Sequence, residues 1–285
     1  MYKELLLRDK VVLITGGGSG LGLGMAKMYA YYGATVIIAS RNEEKLKNAL
    51  EQLSKPVEQD HTYYVVDVRD AEQVKTMYDK LFEKFDKIDI LINNAAGNFL
   101  SLSEKLTPNG FKTVVDIVLN GTFYNSLYWG QHCIESGTGG CILNIATTYA
   151  IHGSAFVLPS AAAKAGVLAM TKSLAYEWAQ YGIRVNAIAP GPIPTKGAWD
   201  RLIPNQSLEK LYQKSIPLHR FGTHEELANL AIFLTTDLSG FITGECVVMD
   251  GGESLRAGEF NILDQLADRK TLGQMFEMLK KGRRK

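Results

Sequence analysis

The chain has 285 residues, 46% of them hydrophobic and 9% aromatic, with a formal net charge of +1. That length suffices to bury one full α/β core, and near-neutrality removes the electrostatic case for nucleic acid or a membrane surface as partner. No apolar run approaches the ~18 residues a transmembrane helix needs, and Cys133, Cys141 and Cys246 are too widely spaced to suggest a disulfide frame or a metal cluster. Met1 to Asp9, ahead of the first expected strand, is too short for a signal or transit peptide. With thiols suited to a reducing compartment, this predicts a cytoplasmic protein. The basic end, Lys280 to Lys285, is no Ser-Lys-Leu address and reads as a solvated, frayed tail.

Strand and helix alternate along the chain. Val11 to Thr15 is a short continuous apolar run, as expected of a strand buried on both faces. Gly20 to Tyr32 reads as a helix closed by Gly33. Thr35 to Ser40 is a second strand, and Asn42 caps a helix whose polar side carries Glu43, Glu44 and Lys47. Further strands are predicted at Tyr63 to Val66, Ile88 to Ile92, Cys141 to Ile145, Ile183 to Ile188 and Cys246 to Met249, with helices at Ala71 to Phe85, Phe111 to Glu135 and Ser160 to Tyr181. This order predicts a single α/β domain over residues 1–285. It is a Rossmann-type, doubly wound parallel sheet of about seven strands with helices on both faces. Two segments stand outside the alternation: a proline-rich loop over residues 191–221, the expected substrate lid, and a C-terminal extension over 253–285.

Between the first strand and the first helix lies Thr15-Gly16-Gly17-Gly18-Ser19-Gly20-Leu21-Gly22. Glycines there let the backbone approach a pyrophosphate, and the helix N-terminus offers free N–H groups and a positive dipole end. The spacing resembles the short-chain dehydrogenase/reductase family. Three further stretches carry the same resemblance: Asn93-Asn94-Ala95-Ala96-Gly97 after strand four, Asp67-Val68 at the end of strand three, and Pro190-Gly191-Pro192-Ile193 after strand six. It implies that Gly16 to Leu21 and Asn94 bind the cofactor, that Asp67 and Val68 contact its adenine, and that Pro190 to Ile193 hold its nicotinamide carboxamide. The second strand ends without the acidic residue of an NAD site. Arg41 stands there instead, a partner for a 2′-phosphate, so the cofactor is expected to be NADPH.

The family's catalytic Tyr-x-x-x-Lys reads Ser160-Ala-Ala-Ala-Lys164 here. An aliphatic hydroxyl is far too weak an acid to replace a phenol. The nearest upstream tyrosine is Tyr149, on a loop that runs from strand five directly to the helix of Lys164, so both can face one cleft. The surrounding stretches resemble the family's 2,4-dienoyl-CoA reductases of the mitochondrial type. They are Asn93 to Phe99, Asp116 to Thr122, Thr147 to Tyr149, Pro159 to Gly166, Pro190 to Ala198, Asp250 to Glu253 and Gly258 to Asn261.

That resemblance implies that Tyr149 and Asn98 bind a thioester oxygen, while Ser160 and Lys164 order the site and the cofactor. It also implies an acyl-CoA substrate touched by Arg69, Phe99, Thr107 and Arg201, a trans-3-enoyl-CoA product, and a homotetramer packed through the two long helices. Hydride delivered at C5 of a dienoyl thioester sends charge to the carbonyl oxygen, so donors aimed at that oxygen carry the catalysis. Asn120 is either a water relay or a helix kink, and Thr147 either takes the place of a catalytic serine or bonds the backbone. His152 reads as structural or solvated, and Glu245 and Asp250 as strand-end residues. No flavin, iron–sulfur or other metal site is expected. Two alternatives stay open: a carbonyl reductase that uses Tyr149 as its acid, and a cofactor-binding protein without catalysis.

Overall fold

The fold is seen in a computed structural model that describes residues 5–195, 199 and 205–282. Seven parallel strands form one sheet in the order β3-β2-β1-β4-β5-β6-β7. They are β1 (Val11–Thr15), β2 (Thr35–Ser40), β3 (Thr62–Val65), β4 (Ile90–Asn93), β5 (Gly140–Ile145), β6 (Ile183–Pro190) and β7 (Cys246–Met249). The helices are α1 (Gly20–Tyr31), α2 (Glu43–Leu50), α3 (Ala71–Lys84), α4 (Pro108–Val115), α5 (Gly121–Ser136), α6 (Tyr149–His152), α7 (Leu158–Trp178), α8 (Gln206–Ser215), α9 (His224–Thr235), α10 (Leu263–Leu266) and α11 (Arg269–Gly282). This is the expected doubly wound sheet, with strand order reversing between β1 and β4.

Alternation along β1 divides the core into two layers. Val12 and Ile14 face one cluster with α1 and α9, among them Met25, Tyr29, Leu227 and Ile232. Leu13 faces the other, with Val74, Met77 and Trp129 from α3 and α5. Successive side chains of a strand point to opposite faces, so a strand covered on both sides must be apolar throughout. Tyr29 could enter the first layer because its hydroxyl meets Thr235 Oγ1 at 2.7 Å, and Trp129 the second because its Nε1 donates to Ile88 O at 2.9 Å. Asn93, Asn144 and Thr171 link β4, β5 and α7 through two buried bonds of 2.9 Å, while Asn93 Oδ1 stays without a partner.

Three expectations need correction, and one helix was not expected at all. The helix predicted over Phe111 to Glu135 is two helices joined by a π-helical turn, Asp116–Asn120. Gly121 follows that turn, and a Cβ there would meet Val68 Cγ2 at 2.8 Å, so only glycine allows the approach. The segment 191–221 is not all loop, since Asn205 accepts from Leu208 N–H at 2.8 Å and caps α8. Asp67 lies beyond β3, which ends at Val65. Finally, α9 went unread, although Thr223 and Glu226 form a full capping box at its start. No described helix is long and apolar enough to cross a membrane.

Candidate active site

The carboxyl ends of β1, β4, β5 and β6 converge at the strand-order reversal, where such sheets bind ligands. Gly16 there has φ +67°, which glycine adopts without a Cβ penalty, and a Cβ on Gly17 would meet Ile38 Cγ2 at 2.6 Å. Ser19 occupies the N-cap position of α1 without capping it through its side chain, and the first turn holds no acidic residue. The helix N-terminus thus keeps its N–H groups for an anion. Thr15 Oγ1 ties this loop to β4 by accepting from Asn94 N–H at 3.0 Å and Ala95 N–H at 3.1 Å, and the Asn94 amide returns a bond to Thr15 O at 3.0 Å. Asn94 therefore shapes the cradle through the backbone. Thr195 comes over from the segment after β6, so that a Cβ on Gly20 would lie 3.5 Å from its methyl.

At the far end of the cradle, Asp67 accepts a forked pair of bonds from the Arg69 guanidinium and a 3.1 Å bond from its backbone N–H. Hydrogen bonding to Arg69, chiefly, holds the Asp67 carboxyl below its ordinary pKa against the opposing effect of burial. Arg69, expected to touch substrate, is thus committed to the residue expected to meet adenine. Arg41 reaches the same carboxylate at only 4.0 Å and its side chain is 61% exposed. Its guanidinium is therefore the more loosely held of the two.

The chemical end is built from β4, β5 and α7. Tyr149 opens the short α6 after β5, and its hydroxyl lies 3.1 Å from Ser160 Oγ and 3.4 Å from Asn98 Nδ2. Asn98 Oδ1 accepts from Phe99 N–H at 2.9 Å, which turns the amide NH2 toward the tyrosine. Ser160 and Lys164, one helical turn apart on α7, are only 2% and 4% exposed. Burial pushes the Lys164 ammonium down to about 8, and its Nζ donates to Ile145 O. Thr147 Oγ1 is buried beside them with no hydrogen-bond partner. Such an orphaned hydroxyl, the glycine cradle and the uncapped helix end all fit a bound dinucleotide.

The remaining expected residues divide. Phe99 and Thr107 meet at Gly110, where a Cβ would lie 3.3 Å from the phenylalanine ring and 3.2 Å from Thr107 Oγ1. Thr107 also caps α4. Asn120 sits in the π-helical turn, its amide held by Asp116 Oδ1 at 3.0 Å. His152 is exposed. Asp250 accepts from Gly252 N–H and Ser254 N–H at 2.8 and 2.7 Å, a turn acceptor rather than one of a carboxylate pair. Arg201 lies outside the described residues, as do Lys196, Gly197 and Ala198.

Sequence reasoning missed an aromatic group at this end, Trp199, Tyr212 and Phe221, and its link to Glu253. Three aromatics in a segment otherwise read as loop were the available signal.

A family model described as enoyl-(acyl carrier protein) reductase matches residues 16–254. A probable 2,4-dienoyl-CoA reductase of Caenorhabditis elegans, described as (3E)-enoyl-CoA-producing, is 45% identical over 89% of this chain and 83% of its own. A probable 2,4-dienoyl-CoA reductase of Bacillus subtilis, described as (2E)-enoyl-CoA-producing, is also 45% identical, over 89% of this chain and its whole length. Among solved structures, a short-chain dehydrogenase from Bacillus anthracis is 48% identical with a TM-score of 0.78, covering 86% of this chain and 96% of its own. A gluconate 5-dehydrogenase from Burkholderia cenocepacia, solved with NADP and tartrate, has a TM-score of 0.80 at 30% identity, covering 88% and 98%. The chain belongs to the short-chain dehydrogenase/reductase family and groups there with relatives named 2,4-dienoyl-CoA reductases.

Proposed function

We propose that the chain reduces trans-2,4-dienoyl-CoA thioesters to trans-3-enoyl-CoA with NADPH, a step that clears conjugated double bonds during fatty-acid β-oxidation. The observation that carries this reading is the Tyr149 hydroxyl, set between the Asn98 amide and Ser160, where the family's usual tyrosine position holds a serine. Gly16 to Leu21 would hold the pyrophosphate, Arg41 the 2′-phosphate, Asp67 and Val68 the adenine end, and Pro190 to Ile193 the nicotinamide. Bound NADPH supplies the hydride.

The protein's own part is electrostatic. Tyr149 O–H and the Asn98 amide donate to the thioester oxygen and stabilise the charge that arrives there when C5 is reduced. Ser160 Oγ, 3.1 Å from the phenol oxygen, keeps that hydroxyl aimed. Lys164 has two N–H donors left beyond Ile145 O for the cofactor's ribose. Water then protonates Cα, which leaves the double bond between C3 and C4. A proton at C4 would leave it between C2 and C3, the outcome named for the Bacillus subtilis relative.

A homotetramer belongs to the same reading. The helices expected at its interfaces, α5 and α7, present Phe123 and Tyr176 at 45% and 89% exposure. Free thiols at Cys133, Cys141 and Cys246 are compatible with a cytoplasmic setting. The test is loss of reduced nicotinamide when purified protein meets NADPH with a 2,4-dienoyl-CoA, a 2-enoyl-CoA or a simple ketone. Turnover of the dienoyl thioester alone supports the proposal. Turnover of the ketone alone makes the chain a carbonyl reductase that uses Tyr149 as acid.

A further inference from the structure

The aromatic group of the 191–221 segment has no part in the reaction above. Trp199 and Phe221 meet edge to face with ring centroids 4.8 Å apart, Trp199 and Tyr212 stack at 6.2 Å, and Tyr212 and Phe221 lie 6.0 Å apart. Both polar tips are taken up inside the chain. Trp199 Nε1 donates to Glu209 Oε1 at 3.3 Å, and the Tyr212 hydroxyl donates to Glu253 Oε1 at 2.7 Å. The second Glu253 oxygen sits against Gly191, where a Cβ would meet it at 3.3 Å. Tyr212 thus lies beside the segment assigned to the nicotinamide. Burial first, then Glu253 and, more weakly, the nearby Tyr149 raise the Tyr212 phenol, which stays a neutral donor.

We propose that Trp199, Tyr212 and Phe221, pinned through Tyr212 to Glu253, form the far wall of the acyl slot and set the chain length the protein accepts. The inference rests on the dienoyl-CoA reading. There the thioester oxygen meets Tyr149, and C5 faces the nicotinamide beside Gly191. Carbons beyond C5 therefore run from Tyr149 past Gly191 toward Tyr212. Three rings whose polar tips are already bonded present an apolar, rotationally fixed surface to that chain. A short acyl tail ends against the rings, and a long one runs into them.

The test compares kcat/KM for 2,4-hexadienoyl-CoA with that for a dienoyl-CoA of palmitoyl length. Wild type should favour the short substrate by at least ~10-fold, and Tyr212→Ala and Phe221→Ala should each move that ratio toward the long one by ~10-fold or more. Tyr212→Phe keeps the ring but frees it from Glu253, so its shift should be smaller. An unchanged ratio in active alanine variants overturns the inference while leaving the dienoyl reading intact. Should those variants fail to fold, Phe221→Leu and Trp199→Phe ask the same question with less volume removed.

A second readout needs no turnover. Of the other two tryptophans, Trp129 is fully buried and Trp178 partly buried in the core. Hexanoyl-CoA should therefore change the emission of wild type but not of Trp199→Phe, and palmitoyl-CoA should bind more weakly. If no dienoyl-CoA is reduced but this fluorescence pattern appears, the wall stands and the proposed reaction falls. If neither acyl-CoA alters the emission, the wall is wrong.

Discussion

Lys164 carries a penalty that a purely structural residue at that place would not. It is 4% exposed and donates to one backbone carbonyl, Ile145 O. Burial lowers its pKa from 10.5 to about 8. A group whose proton is held less tightly in the folded state than in the unfolded one makes stability rise with pH between its two pKa values. For Lys164 that window runs from about 8 up to 10.5. At 1.36 kcal/mol per pKa unit, burying the charged ammonium costs about 3 kcal/mol at neutral pH. Lys164→Met removes the charge and the titration together, although it leaves Ile145 O without its donor. The stability of each protein is best measured by urea denaturation at pH 7 and at pH 10. Other lysines and tyrosines titrate in both proteins and drop out of the comparison. Wild type should gain about 2–3 kcal/mol relative to Lys164→Met across that range. A constant difference, or one that moves the other way, would refute a buried, charged Lys164.

Other consequences are simpler to read. Tyr149→Phe removes one of two donors to the thioester oxygen, so kcat for dienoyl-CoA should fall by ~100- to 1,000-fold with little change in KM for NADPH. Arg41→Ala should raise the KM for NADPH at least ~10-fold and leave that for NADH nearly unchanged, since one charge-assisted contact to a 2′-phosphate contributes about 1.5–3 kcal/mol. His61 accepts from Val36 N–H at 3.1 Å through Nδ1, while its Nε2 meets Ser54 O at 3.0 Å. That arrangement needs the neutral ring, and burial accordingly lowers its pKa below the ordinary 6.5. The stability this contributes is present above about 6.5 and is lost as pH falls below it, because the unfolded chain then binds the proton first. Thermal unfolding at pH 7 and pH 5 should show a steeper acid loss in wild type than in His61→Gln.

What the sequence made legible was local. The apolar run of β1, the glycine turn and the Asn42 cap are each decided within a few residues by backbone freedom and hydrogen bonding, and each is found as expected. Tyr149 was reachable because it lies only 11 residues from Ser160, on a loop that had to lead to α7. The bond between Tyr212 and Glu253 spans 41 residues, and no periodicity announces it. The π-helical turn at Asp116–Asn120 escaped for another reason, since none of its residues is Gly or Pro and the bulge depends on what packs against them. The substrate contact expected of Arg69 came from the family resemblance alone, and no local pattern announced its bond to the carboxylate two residues before it. The capping box at Thr223 was written plainly in the sequence, just past the proline-rich segment, and the helix it opens was not among those expected.

The central claim is that hydride goes to a carbon remote from the carbonyl whose oxygen Tyr149 and Asn98 hold. The measurement that tests it most directly is the product formed from 2,4-hexadienoyl-CoA and NADPH deuterated at nicotinamide C4 on the transferred face, analysed by NMR. The account predicts deuterium at C5 and a double bond between C3 and C4. Deuterium at C3, as in a 2-enoyl reductase, or on a carbinol carbon, as in a ketone reductase, would contradict it.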